Sequence, residues 1–381
     1  WQDQGCDEHE IKGRWNSYVP RNLLPRLHGY ELQMAPYAIA HVKVGLKLFE
    51  TGYEFGEAAR ARVYLTNSLE PPVHNQMNFG FLEALAHEAA AVDEVKRNRR
   101  FTVIVGNPPY QISSLNRSPW IKDLLATYKR GLDEKKINLD DDYIKFVRAA
   151  EYAIGTSGAG ILGFITANSF LDGITHRKMR ASLIGTFERL SVINLHGNIR
   201  RNEKALDGGK DENIFEKIKQ GVSITFGRRL PELPREVGYA DVWGTAKYKR
   251  KALVEDALSF VPIDPTRENC FLIPATSDFS ESYESFPSLD ELFLRTGAGI
   301  QTKRDTVAIQ YSKAALETVL GDLEDLTDQE FSDRHNIPAE SASWSVARAR
   351  KDVAAREGKL INILVRPFDA RWTYFSGKTN G

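Results

Sequence analysis

The chain of 381 residues has only two cysteines, Cys6 and Cys270, far apart in sequence. That scarcity argues against a disulfide framework or a cysteine zinc site and fits a reducing cytoplasm. Neither charge is in excess: 51 basic residues balance 51 acidic ones. A nucleic-acid partner would therefore have to be held by local charge clusters and not by global basicity. There is no apolar run long enough to span a membrane and no segment with the layout of a signal peptide. The eight histidines show no metal-binding spacing. No Gly-x-x-x-x-Gly-Lys-Ser/Thr loop is present, so no ATPase motif can be recognised. What remains is an ordinary soluble composition, 42% hydrophobic and 27% charged, long enough for two domains. The chain starts at Trp1 and stops at Gly381, just after an aromatic-rich segment, and so reads as a fragment of a longer protein.

Apolar patterning organises the chain. "LHGYEL" predicts a short strand ending at Glu31. Leu32, Ala35, Ile39, Val42, Leu46 and Phe49 follow three-and-four spacing and predict a helix. A strand is expected over 61–67, a helix over 80–96 and a strand over 101–106. Residues 111–140 read as a long polar loop with one short helix. Then come a helix in "DDYIKFVRAAEYAI", a strand in "GILGFITANSFL", a helix in "HRKMRASLIGTF", and strands in "LSVINLHG", "GVSITFGRR" and "YADVW". Strands alternating with helices predict an α/β fold with a largely parallel sheet. In such sheets ligands bind at the carboxyl ends of the strands, where Glu31, Asn67 and Asn107 each fall. After about residue 255 the alternation weakens into a Pro-, Ser- and aromatic-rich stretch. The expected division is 1–255 and 256–381.

One stretch carries chemistry. "FTVIVGNPPYQ" runs a strand into Asn107, Pro108, Pro109 and Tyr110. The Asn107 side-chain oxygen and the Pro108 carbonyl place two acceptors close together, and the prolines fix φ so that the carbonyl is held. Two fixed acceptors suit a planar NH2 group such as adenine N6. Drawing that nitrogen toward tetrahedral geometry localises its lone pair and stabilises the charge that develops there. Tyr110 can stack on the base, a contact of roughly 1–3 kcal/mol. A base inside a duplex cannot reach this turn and must be flipped out.

These residues resemble the catalytic motif of S-adenosylmethionine-dependent amino-group methyltransferases, specifically adenine-N6 DNA methyltransferases. The resemblance implies a Rossmann-like sheet in which Glu31 binds the cofactor ribose. It implies that Asn67, with Leu69 beside it, contacts the cofactor adenine, and that Tyr143 and Phe146 line the cofactor and base pockets. It also implies that Phe215, in "DENIFEKIKQGVSITF", packs on the flipped base opposite Tyr110. Longer runs, "WNSYVPRNLLPRLHGYELQMAPYAIAHVKVGLKL", "LHGNIRRNEKALDGGKDENIFEKIKQGVSITFGRR" and "RPFDARWTYF", resemble the type ISP restriction-modification enzymes. Those are single polypeptides that also carry nuclease and translocase parts. The implied organisation is a catalytic domain over 1–255 and an α+β target-recognition domain over 256–381, acting on double-stranded DNA in the cytoplasm. The family's glycine-rich loop and first strand have no counterpart before Glu31, so both domains are expected to be truncated, one at each end of the chain.

Other signals carry less. "GAGILG", 158–163, precedes a strand and reads as a turn, not a dinucleotide loop. "DEHEIK" lacks the strand context of a metal nuclease. "KRNRR", 96–100, reads as a solvated helix end. In "GAGIQTKRD", Lys303 and Arg304 are expected to be exposed, where they could reach phosphates or a base edge. Phe368 and Trp372 are expected in a core. Two competing functions stay open: methylation of RNA or of a protein amide, and a non-catalytic DNA-binding module.

Overall fold

The computed structural model describes residues 5–56, 60–72, 83–110, 114–134, 137–255, 258–265, 269–274, 285–292, 300–341 and 344–377. The chain divides into two compact units, Trp1–Thr276 and Ser277–Gly381.

The first unit runs α1 (Glu8–Tyr18), a π-helical turn, β1 (His28–Glu31), α2 (Met34–Glu50), β2 (Arg62–Leu65), α3 (Glu83–Asn98), β3 (Val103–Gly106), α4 (Pro119–Lys129), α5 (Asp142–Ser157), β4 (Gly160–Ala167), α6 (Arg177–Thr186), β5 (Arg189–His196), β6 (Val222–Arg229), β7 (Glu236–Asp241), α7 (Ala246–Val254) and β8 (Val261–Pro262). Local chemistry sets several boundaries. Ser118 caps α4 with Pro119 in its first turn, and α5 ends on Gly158 in the left-handed region. That glycine makes "GAGILG" a helix stop followed by β4.

The alternation yields an α/β unit, but its main sheet is mixed. The strand order is β3-β4-β6-β5-β7-β8. β3 is parallel to β4 and β5 to β7, whereas β6 lies antiparallel between β4 and β5. The expectation of a largely parallel sheet fails here because no helix of the regular kind connects β5 to β6. A loop reverses the chain, and a reversed neighbour pairs antiparallel. β1 and β2 pair in parallel with each other and form a separate sheet among the described residues. β3 is therefore an edge strand, with Val103 59% and Val105 74% exposed. Helices α4, α5 and α6 close one core over β4, β5 and β7, built on Tyr128, Tyr143, Ile144, Phe164, Phe170 and Leu190.

The helix predicted from Leu32 to Phe49 exists as α2, but the stripe that predicted it faces solvent: Ile39, Val42, Leu46 and Phe49 are exposed. α2 instead buries Leu48 and packs Val44 beside it. Its His41 ring lies 3.2 Å from the Val63 carbonyl of β2.

The expected boundary at 255/256 lies later, after Thr276. Leu272 is fully buried in the core of the first unit. The guanidinium of Arg180, itself fully buried, donates to the carbonyls of Phe170, Gly173, Asn269 and Cys270 and lies over the Phe271 ring. The linker is thus stapled to the sheet that precedes it.

Beside Arg180, His176 is buried with no partner for Nδ1 among the described residues. Burial, and then the Arg180 charge, push its pKa down to about 4, against a smaller raising effect of Asp172. Unfolded, the ring titrates at 6.5. Its contribution to stability is therefore present above pH 6.5 and is lost as pH falls toward 4. Urea unfolding should show a decline of about 3 kcal/mol over that window, flattened in His176→Gln.

The second unit runs α8 (Leu289–Leu292), α9 (Asp305–Ala308), β9 (Ile309–Gln310), α10 (Lys313–Asp325), α11 (Asp328–His335), β10 (Glu340–Ser341), β11 (Trp344–Ser345), α12 (Val346–Ala354), β12 (Lys359–Arg366) and β13 (Asp369–Phe375). It is α+β, with an antiparallel sheet β12-β13-β9 and a core around Val319, Leu323, Phe331 and Trp344. Thr327 and Glu330 form a reciprocal capping box on α11. Phe368, expected in a core, is wholly exposed at the β12–β13 turn with φ +67°. The hairpin reverses there and leaves the ring outside the core of the unit among the described residues.

Candidate functional site

The first-unit residues singled out in the sequence gather at strand ends. Glu31 closes β1 opposite Leu65 of β2, and the ladder continues through a 2.7 Å bond from the Thr66 amide to the Glu31 carbonyl. The Glu31 carboxylate accepts from the Gln33 amide at 2.9 Å. Asn67 follows directly. Its side-chain oxygen accepts from the Leu69 amide at 2.9 Å, and its amide donates to Asn116 Oδ1 at 2.8 Å. Leu69 is fully buried and anchors this turn. A carboxylate at the end of β1 and a carboxamide just past the end of the adjacent parallel β2 thus lie at one edge; the carboxylate can accept from vicinal hydroxyls, while the carboxamide is held by Leu69, Asn116 and Glu70.

At the end of β3, Gly106 precedes the motif; a Cβ there would meet the Phe164 ring at 3.2 Å. Asn107 and Pro109 are exposed and Pro108 is buried. Tyr110 is half-buried, and its hydroxyl is buried without a partner among the described residues. Burial pushes its pKa up to about 12, so the ring stays neutral and suited to stacking. Gln111 to Ser113, at the start of the predicted polar loop, lie outside the described residues.

Phe215 comes from the loop between β5 and β6, yet its ring meets Tyr110 at 6.3 Å between centroids, at 62°. Tertiary structure therefore brings together two rings that are a hundred residues apart in sequence. Tyr143 is placed differently from Phe146. Its ring is fully buried in the core with its hydroxyl 3.0 Å from Ser169 Oγ, whereas Phe146 is half-buried against the same core. In the second unit, Lys303 is exposed with φ +60°. Arg304, expected to be exposed, is half-buried with its guanidinium 5.7 Å over the Trp344 ring, which offers the cation a π face. Gly297 to Gly299 of the same predicted loop lie outside the described residues.

Two supports went unread in the sequence. Lys96, in the stretch expected to be a solvated helix end, is half-buried and donates to the carbonyls of Asn67 and Glu70 at 2.7 and 2.9 Å. Its ammonium also lies 5.8 Å from the Tyr30 ring centre, and burial lowers its pKa. Asn116, in the stretch read as polar loop, ties Asn67 to Asp142 of α5, while Lys145 holds the Asn116 carbonyl at 2.7 Å. The only available signal was the acidic run Asp140–Asp142 opening a helix. Among the described residues no cluster of three or more His, Cys, Asp or Glu could hold a metal, and no helix is long and apolar enough to cross a membrane.

Comparison with known proteins agrees with this layout. Residues 27–199 match the Eco57I restriction-modification methylase family, and residues 291–381 match the type ISP C-terminal specificity domain. No curated protein matches the chain. Three solved structures share the fold over 96% of this chain. The DrdV–DNA complex has a TM-score of 0.64 at 21% identity. A nuclease-deletion mutant of the type ISP restriction-modification enzyme LlaGI, in complex with a DNA substrate mimic, has a TM-score of 0.66 at 20% identity. The ATP-dependent type ISP enzyme LlaBIII bound to DNA has a TM-score of 0.63 at 23% identity. The chain spans 39%, 33% and 27% of their respective lengths. Glu31, Asn67 and Asn107 all fall inside the first matched segment, and the unit with its own core around Phe331 contains the second. The chain thus carries, in this order, a segment that matches the Eco57I restriction-modification methylase family and a segment that matches the type ISP C-terminal specificity domain.

Proposed function

We propose that this chain carries the methyl-transfer and target-recognition portion of a DNA methyltransferase that acts on adenine N6 within a cytoplasmic restriction-modification polypeptide. In this reading nuclease and translocase parts belong to the same full-length protein. The observation that carries the reading is the Asn-Pro-Pro-Tyr turn at the end of β3 with the Phe215 ring brought against Tyr110. S-adenosylmethionine, when bound, supplies the methyl group. The donor set fits its adenosine part: Glu31 would accept from the ribose hydroxyls, and Asn67, steadied by Lys96 and Asn116, would face its adenine beside Leu69. Tyr143, from within the core, supports the wall that Phe146 lines.

Asn107 Oδ1 and the Pro108 carbonyl accept hydrogen bonds from the two N–H groups of the target amine and hold it pyramidal. No separate base is required, since the nitrogen becomes acidic once alkylated and releases one proton to water. Tyr110 and Phe215 hold the flipped base between them. In the present arrangement their rings meet edge to face. A base stacked between parallel rings needs about 6.8 Å, two stacking spacings of about 3.4 Å, so one ring turns as the base enters. The second unit, with Lys303 exposed and Arg304 behind it, would read the duplex.

The test is transfer of tritiated methyl from S-adenosylmethionine by the complete polypeptide, offered in parallel unmethylated double-stranded DNA, RNA and protein. Label in DNA recovered as N6-methyladenine supports the reading. Label in RNA or protein alone, or DNA binding with no label at all, overturns it.

A further inference from the structure

We propose that Asp211, Asn213 and Lys249 are positioning residues that brace the Phe215 loop from α7, so that Phe215 can hold the flipped base. The inference rests on the function proposed above.

Asp211 and Lys249 form an ion pair at 2.8 Å with both side chains fully buried. Removing charges from water is costly, and a buried pair persists when further hydrogen bonds satisfy both partners. Here they do. Asp211 accepts from the Gly197 amide at 2.6 Å and the Gly244 amide at 2.8 Å. Lys249 donates to the carbonyls of Leu195 at 2.6 Å and Glu212 at 2.7 Å. One pair thus ties the end of β5, the loop before β6 and the loop after β7.

The ties continue to Phe215 itself. Arg250, next on α7, donates to the Ile214 carbonyl at 2.8 Å. The side chain of Asn213 accepts from the Phe215 amide at 2.9 Å and donates to the carbonyls of Gly197 and Gln220 at 3.0 and 2.6 Å. Gly197, at φ +78°, lets the chains approach: a Cβ there would lie 2.5 Å from Asn213 Cα. Every residue from 211 to 215 is fixed by at least one of these bonds. The Phe215 ring is only half-buried, so the restraint acts on its backbone and leaves the ring free to turn.

The experiment uses the complete polypeptide and an oligonucleotide duplex bearing one site mapped from the wild-type enzyme's own methylation pattern. Asn213→Ala is compared with wild type on a paired target adenine and on the same adenine opposite a mismatched base, where flipping costs less. The expected result is at least a tenfold fall in kcat on the paired site, KM for S-adenosylmethionine within twofold, and recovery of most of the loss on the mismatched site. A wild-type rate on the paired site, or a loss that the mismatch does not relieve, overturns the proposal. Asn213→Ser, which keeps an acceptor near the Phe215 amide, and Asp211→Leu with Lys249→Met, which removes both charges together, give the same comparison if Asn213→Ala does not fold. Wild-type protein that methylates nothing would overturn the underlying function, an outcome distinct from either.

Discussion

Asn107→Ala in the complete polypeptide is expected to abolish methyl transfer while S-adenosylmethionine binding stays within about twofold. The residue stands exposed at the carboxyl end of β3, directly before the buried Pro108, so its truncation leaves the strand and the turn in place. What is lost, in the proposed reaction, is one of the two acceptors for the target amine. Removing one positioned hydrogen-bonding group from a developing charge typically costs about 10²–10³ in rate. In the proposed reaction the same side chain also helps to localise the lone pair, which puts the expected loss at the upper end. Glu31 and Asn67, on β1 and the turn after β2, are untouched, and they are the groups assigned to the cofactor. Tritium incorporation into DNA and equilibrium binding of S-adenosylmethionine measure the two halves separately. Unchanged methylation would remove Asn107 from the reaction, and loss of both would make its role structural.

Arg180→Met is expected to produce the largest loss of stability. Its guanidinium has carbonyl partners from both sides of a long sequence gap: Phe170 and Gly173 near α6, and Asn269 and Cys270 in the linker. Methionine fills much of the volume but donates nothing. Each carbonyl left buried and unpaired costs about 1–3 kcal/mol, and the group together about 3–5 kcal/mol because some will find water. The urea midpoint of the first unit should fall by about 1 M or more. Cleavage by a limiting amount of protease should appear near residues 269–274, where Leu272 loses its anchor. Arg180→Lys should recover part of the loss, since an ammonium reaches fewer of the four oxygens. A midpoint equal to wild type would mean that Leu272 and Phe271 hold the linker without the arginine.

Much of this protein was legible from residue order alone. The period of apolar residues located the helices α2, α5 and α6 and the strands β1 to β7, because backbone periodicity is a local property. The Asn-Pro-Pro-Tyr turn was legible as a rigid turn at the end of a strand because proline fixes φ wherever it stands. The α/β alternation of the first unit and the weakening after residue 255 were equally local signals.

Tertiary structure decided what depends on distant neighbours. β6 lies antiparallel between β4 and β5, an order that no single strand encodes, because pairing direction follows from the connecting loop. The boundary moved past 255 because Arg180 and Leu272 tie the linker to a sheet formed long before it in the chain. The apolar stripe of α2 faces outward, Phe368 stands exposed and Arg304 lies over Trp344, since periodicity tells which residues share a face but not what covers that face. The same limit hid Lys96, Asn116 and the Asp211–Lys249 pair. A charged residue in a sequence reads as solvated unless its partner is known, and each of these partners is supplied by another segment of the fold.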